Sequence, residues 1–141
     1  MKTILLLLVG LLVFILPLTV FSCENDVKLN SRDRIEDYII LGAMKHGLSV
    51  TKALYIAKCE SGLLPNAKSK SSSASGIYQF INGTWFETMN SMGLSTISSR
   101  FDPRINIDAG LFLMKTSGDH HWNESKPCWG PKVLDMLSDL P

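Results

Sequence analysis

Residues 59–85 read CESGLLPNAKSKSSSASGIYQFINGTW. One carboxylate, Glu60, stands where an apolar-patterned helix gives way to a loop rich in Ser, Gly and Lys. Before it, Val50, Ala53, Leu54 and Ala57 recur at helical spacing, with Ser49 suited to the N-cap and Gly62 to the stop. Glu60 therefore falls in the last turn, where the carbonyl end of the helix raises a carboxylate's pKa. Leu63, Leu64, Tyr78 and Phe80 would desolvate it further if the loop folds back. A Glu kept protonated near neutral pH is what general-acid cleavage of a glycosidic bond requires. Ser61 and Gln79 are placed to orient it or to bind sugar amides and hydroxyls, and Tyr78 and Trp85 offer flat faces for sugar rings. On residue types alone, a surface glutamate beside a turn is the favoured reading, and spacing by itself does not find an enzyme.

Outward from this stretch the pattern stays helical. Upstream, Ser31 suits the cap of a helix running to about His46, with Ile35, Tyr38, Ile39 and Met44 inward and Gly47 as its stop. Downstream, residues 61–76 read as loop, and the short apolar run Ile77–Ile81 as strand or buried turn. A helix is expected from Thr84 to about Met92, closed by Gly93. Asp102-Pro103 signals another start, with Ile107, Leu111 and Met114 inward and Gly118 beyond the end. A last helix is expected over 131–140. The sum is one mostly α domain over 31–141, preceded by a polar lead-in at 23–30.

The first 22 residues differ in kind. Ile4 to Phe21 forms an 18-residue apolar run after Lys2, with Ser22 at a suitable cleavage point. Three readings compete: a cleaved signal peptide, a retained signal anchor, and a lipoprotein acylated on Cys23. Membrane attachment would come only through such an anchor or lipid. Each sends the rest of the chain out of the cytoplasm, to the periplasm or beyond the cell, since the positive charge precedes the run and Glu24 and Asp26 follow it.

The 141 residues hold 14 Lys and Arg against 13 Asp and Glu, a net charge of +1. No basic cluster marks a nucleic-acid surface. In an exported chain, a Cys59–Cys128 disulfide is the most economical pairing of the three cysteines, and two reduced buried thiols are the alternative. His120 and His121, being adjacent, are expected to point apart, and without a helical carboxylate–histidine motif they do not make a metal site. Nothing else in the chain asks for a cofactor.

Glu60-Ser61, Pro65, Ala67, Ser69, Gly76 and Gln79 together resemble the lytic transglycosylase pattern of the lysozyme-like superfamily. Cys59-Glu60-Ser61-Gly62, Tyr78-Gln79-Phe80 and Thr84-Trp85 are also similar to the resuscitation-promoting-factor domain. Asp102-Pro103, Asn106, Ala109, Gly110 and Leu113 resemble the transglycosylase helix opposite the catalytic glutamate. The resemblance spans roughly residues 33–130 and implies a small lysozyme-like α+β fold with helices around a substrate cleft. It makes Glu60 the catalytic residue, and it adds Ser69, Phe80 and Asn106 to the substrate-binding set of Ser61, Tyr78, Gln79 and Trp85.

The chain departs from the pattern in three places. The loop between Ser69 and Gly76 is one residue longer, Tyr78 replaces a Met, and the late Tyr-Asn-Ala-Gly motif is missing. Its nearest substitute is Trp122-Asn123-Glu124-Ser125, which leaves Trp122 or His121 to face the acid. The implied reaction is cleavage of the β-1,4 bond between N-acetylmuramic acid and N-acetylglucosamine, closing a 1,6-anhydro ring. Water need not attack, so one carboxylate suffices. A hydrolytic lysozyme would want a second at about 5 Å or about 6.5–9.5 Å, and Asp102, Asp108, Asp119 and Glu87 stand in no recognisable motif for it. The rivals are that hydrolase and a non-catalytic wall-binding or signalling module. Partners beyond peptidoglycan would be a secretion, conjugation or phage assembly.

Overall fold

The computed structural model describes residues 32–138. The leader at 1–22, Cys23, the lead-in to residue 30, the Ser31 cap and the expected helix end at Leu140 lie outside them. The chain folds into α1 (Arg32–His46), α2 (Val50–Ser61), α3 (Asn82–Ser91), α4 (Pro103–Ser117), a 3-10 segment (His120–Ser125) and α5 (Lys126–Ser138). No described helix is long and apolar enough to cross a membrane.

Local chemistry sets most boundaries. Ser49 caps α2 by accepting the Lys52 amide at 3.3 Å, and Asp102 caps α4 by accepting from Arg104 and Ile105 ahead of Pro103. At the end of α1, Gly47 (φ 66°) and Leu48 return their amides to Met44 and Ala43, a Schellman closure that a left-handed residue makes possible. Asn90 and Met89 receive Gly93 and Leu94 in the same way after α3.

Helix α2 is central: α1 packs on it and on α4, α5 packs along it, and α3 leans on α4. Ile35, Ile39, Ala53, Ile56, Ala57, Met89, Ile107 and Leu111 fill the space between them. Each large aliphatic side chain buried there contributes about 1.5–3 kcal/mol. The mostly helical class expected from the pattern holds. Among the described residues the β component is two isolated antiparallel bridges, Lys68 with Ser75 and Ser75 with Phe80. Ile77–Ile81 is thus a buried turn and not a strand.

Three expectations need correction. Met44 is 64 % exposed, and Ala43 takes the inward place, because it continues the buried Ile35–Ile39 row at a spacing of four. Helix α3 starts at Asn82, two residues before Thr84. The last helix begins at Lys126, with Pro131 inside it. Proline is disfavoured there, but Cys128 and Trp129 are anchored to α2 and to the core, and these long-range ties outweigh the local preference.

Candidate active site

Glu60 occupies the last turn of α2, as its spacing implied, and is partly buried. Its pKa is raised, first by burial and with a smaller opposing pull from the Ser125 hydroxyl. Lys58, two residues away, is paired with Glu36 at 3.0 Å and not with Glu60. Immediately after the helix the chain turns back through two successive left-handed residues, Gly62 (φ 64°) and Leu63 (φ 64°). Leu63 accepts that conformation while burying its side chain to 1 % exposure.

The loop beyond is closed by its own backbone. Gly76 donates to the Ala67 carbonyl at 2.9 Å, Ser69 to Ala74 at 2.9 Å, and Ser75 and Phe80 exchange both bonds. The Ser69 hydroxyl accepts the amides of Ser71 and Ser72, so it shapes the turn from within. The Ser61 hydroxyl donates back to Ala57. Gln79 is the second left-handed non-glycine residue (φ 51°), and its Nε2 donates to Gly76 at 2.7 Å and Ala67 at 3.3 Å. Arg100, which no sequence pattern singled out, straps this loop to the start of α3 by donating to Ser73 O, Phe80 O and Asn82 Oδ1.

Tyr78 is the hub beneath this surface. Its amide donates to Asn106 Oδ1, its hydroxyl to the Ala53 carbonyl at 3.0 Å, and its carbonyl accepts from Trp122 Nε1 at 3.0 Å. Its ring lies so close to Gly110 that a Cβ there would collide with it. Burial drives its hydroxyl pKa far upward, and the group stays neutral. The Tyr78 ring is therefore a core element and not a sugar platform.

Trp85 requires the same correction, since it is buried, packs edge-on to Phe80 and donates to Ser98 O. Asn106, expected to line the cleft, is fully buried between Tyr78 N and Arg100 O. Phe80 and Trp122 are buried as well, with rings 6.5 Å apart and near perpendicular. Large aromatic surfaces gain more here from burial beside a backbone acceptor than from facing solvent.

Among the open cavities is one of about 160 Å³ lined by Gln79, Ile81, Thr84, Leu113 and His121, over the edges of Tyr78, Phe80 and Trp122, and a wider one of about 560 Å³ lies by Leu64, Pro65, Ala67 and Phe101. His121 has a lowered pKa, through partial burial and then the charge of His120, against a weaker raising influence from Glu87. The two histidine rings do not point apart: they lie 4.0 Å from each other, because the 3-10 turn swings both to one side. Among the described residues no group of three His, Cys, Asp or Glu side chains is gathered for a metal.

On the opposite wall the Ser125 hydroxyl donates to the Trp122 carbonyl at 3.1 Å and only weakly offsets the raised pKa of Glu60. Trp122 turns inward to Tyr78. Ser125 closes the Trp122–Ser125 stretch that stands in for the missing motif. The Cys59–Cys128 disulfide forms as expected, one residue from Glu60 and three from Ser125. A search of curated proteins returns no match. The family model of the transglycosylase SLT domain matches residues 37–125, from within α1 to Ser125, and the chain belongs to this peptidoglycan-acting family of the lysozyme-like superfamily.

Proposed function

We propose that the domain is an exported lytic transglycosylase in which Glu60 is the single catalytic acid and base. Glu60 would protonate the oxygen of the β-1,4 bond that leaves the muramyl anomeric carbon. It would then take the proton of the muramyl 6-hydroxyl as that oxygen closes on the same carbon, giving a 1,6-anhydro end. The observation that carries the reading is a half-buried carboxyl with a raised pKa at the end of α2, in a chain whose residues 37–125 match the transglycosylase SLT domain.

The alternative second carboxylates support it too. Asp102 is a helix cap, Asp108 accepts the Tyr38 hydroxyl at 3.2 Å, and Asp119 pairs with Lys52 at 2.7 Å. Gln79, Thr84 and His121 offer polar contacts for glycan hydroxyls and acetamides around the cavity. A hydrolase would have to recruit Glu87, whose charge reaches His121, as its second carboxylate. Export is supported by the apolar run from Ile4 to Phe21 and by the disulfide, which fits an oxidising compartment.

Purified sacculi, digested and analysed by mass, separate these readings. Anhydro-muramyl ends are expected; reducing ends would indicate the hydrolase, and no soluble fragments would sink both. Glu60→Gln is expected to lose roughly 10²–10⁴-fold in rate with the fold intact.

A further inference from the structure

Among the described residues the exposed large apolar side chains are unevenly spread, and Leu64, Phe86, Ile97 and Phe101 gather at one end of the fold. Phe101 joins them. It lines the cavity of about 560 Å³ with Leu64, Pro65 and Pro103, and a second cavity of about 370 Å³ with Phe86, Thr96 and Ser98. Ile97, between Thr96 and Ser98, is 92 % exposed. An aliphatic side chain that prominent, beside two exposed phenyl rings, marks an interaction surface rather than an ordinary solvated loop.

The same end receives the chain from its N-terminal side. Helices α1 and α4 run side by side in the same direction. The Tyr38 hydroxyl donates to Asp108, Gly42 abuts Leu111, and Leu48 and Ser49 border a cavity with Met114 and Gly118. Following that register backward sets Arg32 beside Pro103, two residues from Phe101. Only residues 23–31 separate Arg32 from the leader, and nine residues span at most about 30 Å. Met44 is also exposed, but it stands near the opposite end of α1.

We propose that this end of the fold docks on a lipid bilayer, with Phe86, Ile97 and Phe101 entering the interface. The inference rests on the chain being exported and held at the membrane by its leader or by a lipid on Cys23. So short a tether keeps the patch at high effective concentration over the bilayer, and a few apolar side chains then suffice to hold it there. Charges of both signs border the patch, Arg32, Lys68 and Arg104 with Asp33 and Asp102. Contact is therefore made by apolar insertion, and headgroup charge contributes little. The cavity at Gln79 and Thr84 begins at Ile81, next to Asn82 of the patch, so docking holds the cleft near the bilayer.

The test uses the full chain reconstituted in vesicles of phosphatidylethanolamine and phosphatidylglycerol whose acyl chains carry bromine close to the headgroups. Bromine quenches an indole only at short range, and Trp85, Trp122 and Trp129 are buried. Ile97→Trp is expected to lose about half of its added emission relative to unbrominated vesicles, as an interfacial side chain sits about 5–10 Å deep. Met44→Trp should lose none beyond wild type. Adding Phe86→Ser and Phe101→Ser to Ile97→Trp should cut the quenching about threefold, and about 0.5 M salt should leave it unchanged.

An unquenched Ile97→Trp chain overturns the docking, and so does a Met44→Trp chain quenched as strongly. Quenching that vanishes in salt, or that survives both serine changes, overturns it too, since charge or the tether alone would then account for it. Ile97→Trp should digest soluble peptidoglycan fragments at the wild-type rate, because Ile97 lies outside the cleft. An active but unquenched chain drops the docking alone, whereas a quenched chain without activity in wild type or variant keeps the docking and drops the enzyme. A chain that does not attach to the vesicles drops the tether and the docking together.

Discussion

The wall that carries Glu60 closes its loop largely on its own backbone, with Arg100 and Asn106 pairing Ser73, Phe80 and Tyr78 from the side, whereas the wall opposite, from His120 to Trp129, is held mainly by contacts from distant parts of the chain. Between Gly62 and Phe80 the amides and carbonyls of Ala67, Ser69, Ala74, Ser75, Gly76 and Phe80 pair with one another, and the Gln79 side chain closes the gaps. The opposite wall contains a 3-10 segment with a kink at Trp122 and a helix with a proline inside it. It is fixed by Trp122 to Tyr78, by the disulfide to α2, and by Lys52 to Asp119. Glu60, the proposed acid, sits on the first of these walls. The difference teaches that the acid's position is set locally, while its environment depends on how well the second wall is docked.

Removing the disulfide is the strongest way to break this division. A Cys59→Ser/Cys128→Ser double variant gives up a crosslink with a sequence separation of 69 residues and should lose about 3–4 kcal/mol in denaturant unfolding. The loss should be uneven. Hydrogen exchange is expected to speed up at the Trp122 and Trp129 indoles, with the Ser75 and Phe80 amides staying protected. Equal loss on both walls would show that the catalytic wall is not self-contained.

Legibility in the sequence follows the same division. The end of α2, Gly62 and the Ser-rich loop were readable because their signals are local: a cap, a helical spacing and a stop. Asp102-Pro103 announced α4 for the same reason. The start of α5 was misplaced because Pro131 is a local start signal, and a disulfide and a buried indole override it from a distance. Trp85, Asn106 and Tyr78 are buried although their types suit a cleft surface, because residue type does not say which way a side chain faces. What decides it is an acceptor supplied by the tertiary fold, at Ser98 O, Arg100 O and Ala53 O respectively. Arg100 carried no local signal, since it gains its meaning from partners across the fold.

A milder change sharpens the comparison at one bond. Trp122→Phe keeps most of the ring volume but removes the indole donor, leaving the Tyr78 carbonyl short of its partner in the core. About 1–2 kcal/mol of stability should go, measured by thermal or denaturant unfolding. Because the bond joins the two walls directly above the hub, activity should fall further than the stability loss alone implies at a temperature where the variant is folded. A variant with lower stability but unchanged rate would mean that the docking of the wall does not govern Glu60.

The smallest expected effect lies at the entry to the tethered wall, where Asp119 meets Lys52 of α2. The Asp119 carboxyl is held below its ordinary pKa, chiefly by its hydrogen bond from the Lys52 ammonium. A depressed carboxylate contributes stability that is present above its unfolded pKa and is lost as pH falls through the folded one, so the loss belongs to acid conditions below about pH 4. Both side chains are about a third exposed, and water and salt screen the pair. Asp119→Asn should therefore cost only about 0.3 kcal/mol at neutral pH and low salt. The gap to wild type should shrink at about 0.5 M salt and again near pH 3, both readable in paired unfolding curves. A gap that is large, or indifferent to salt, would mean that this pair anchors the 3-10 segment, and would shift part of the tethering from the disulfide and Trp122 to an ion pair at the rim.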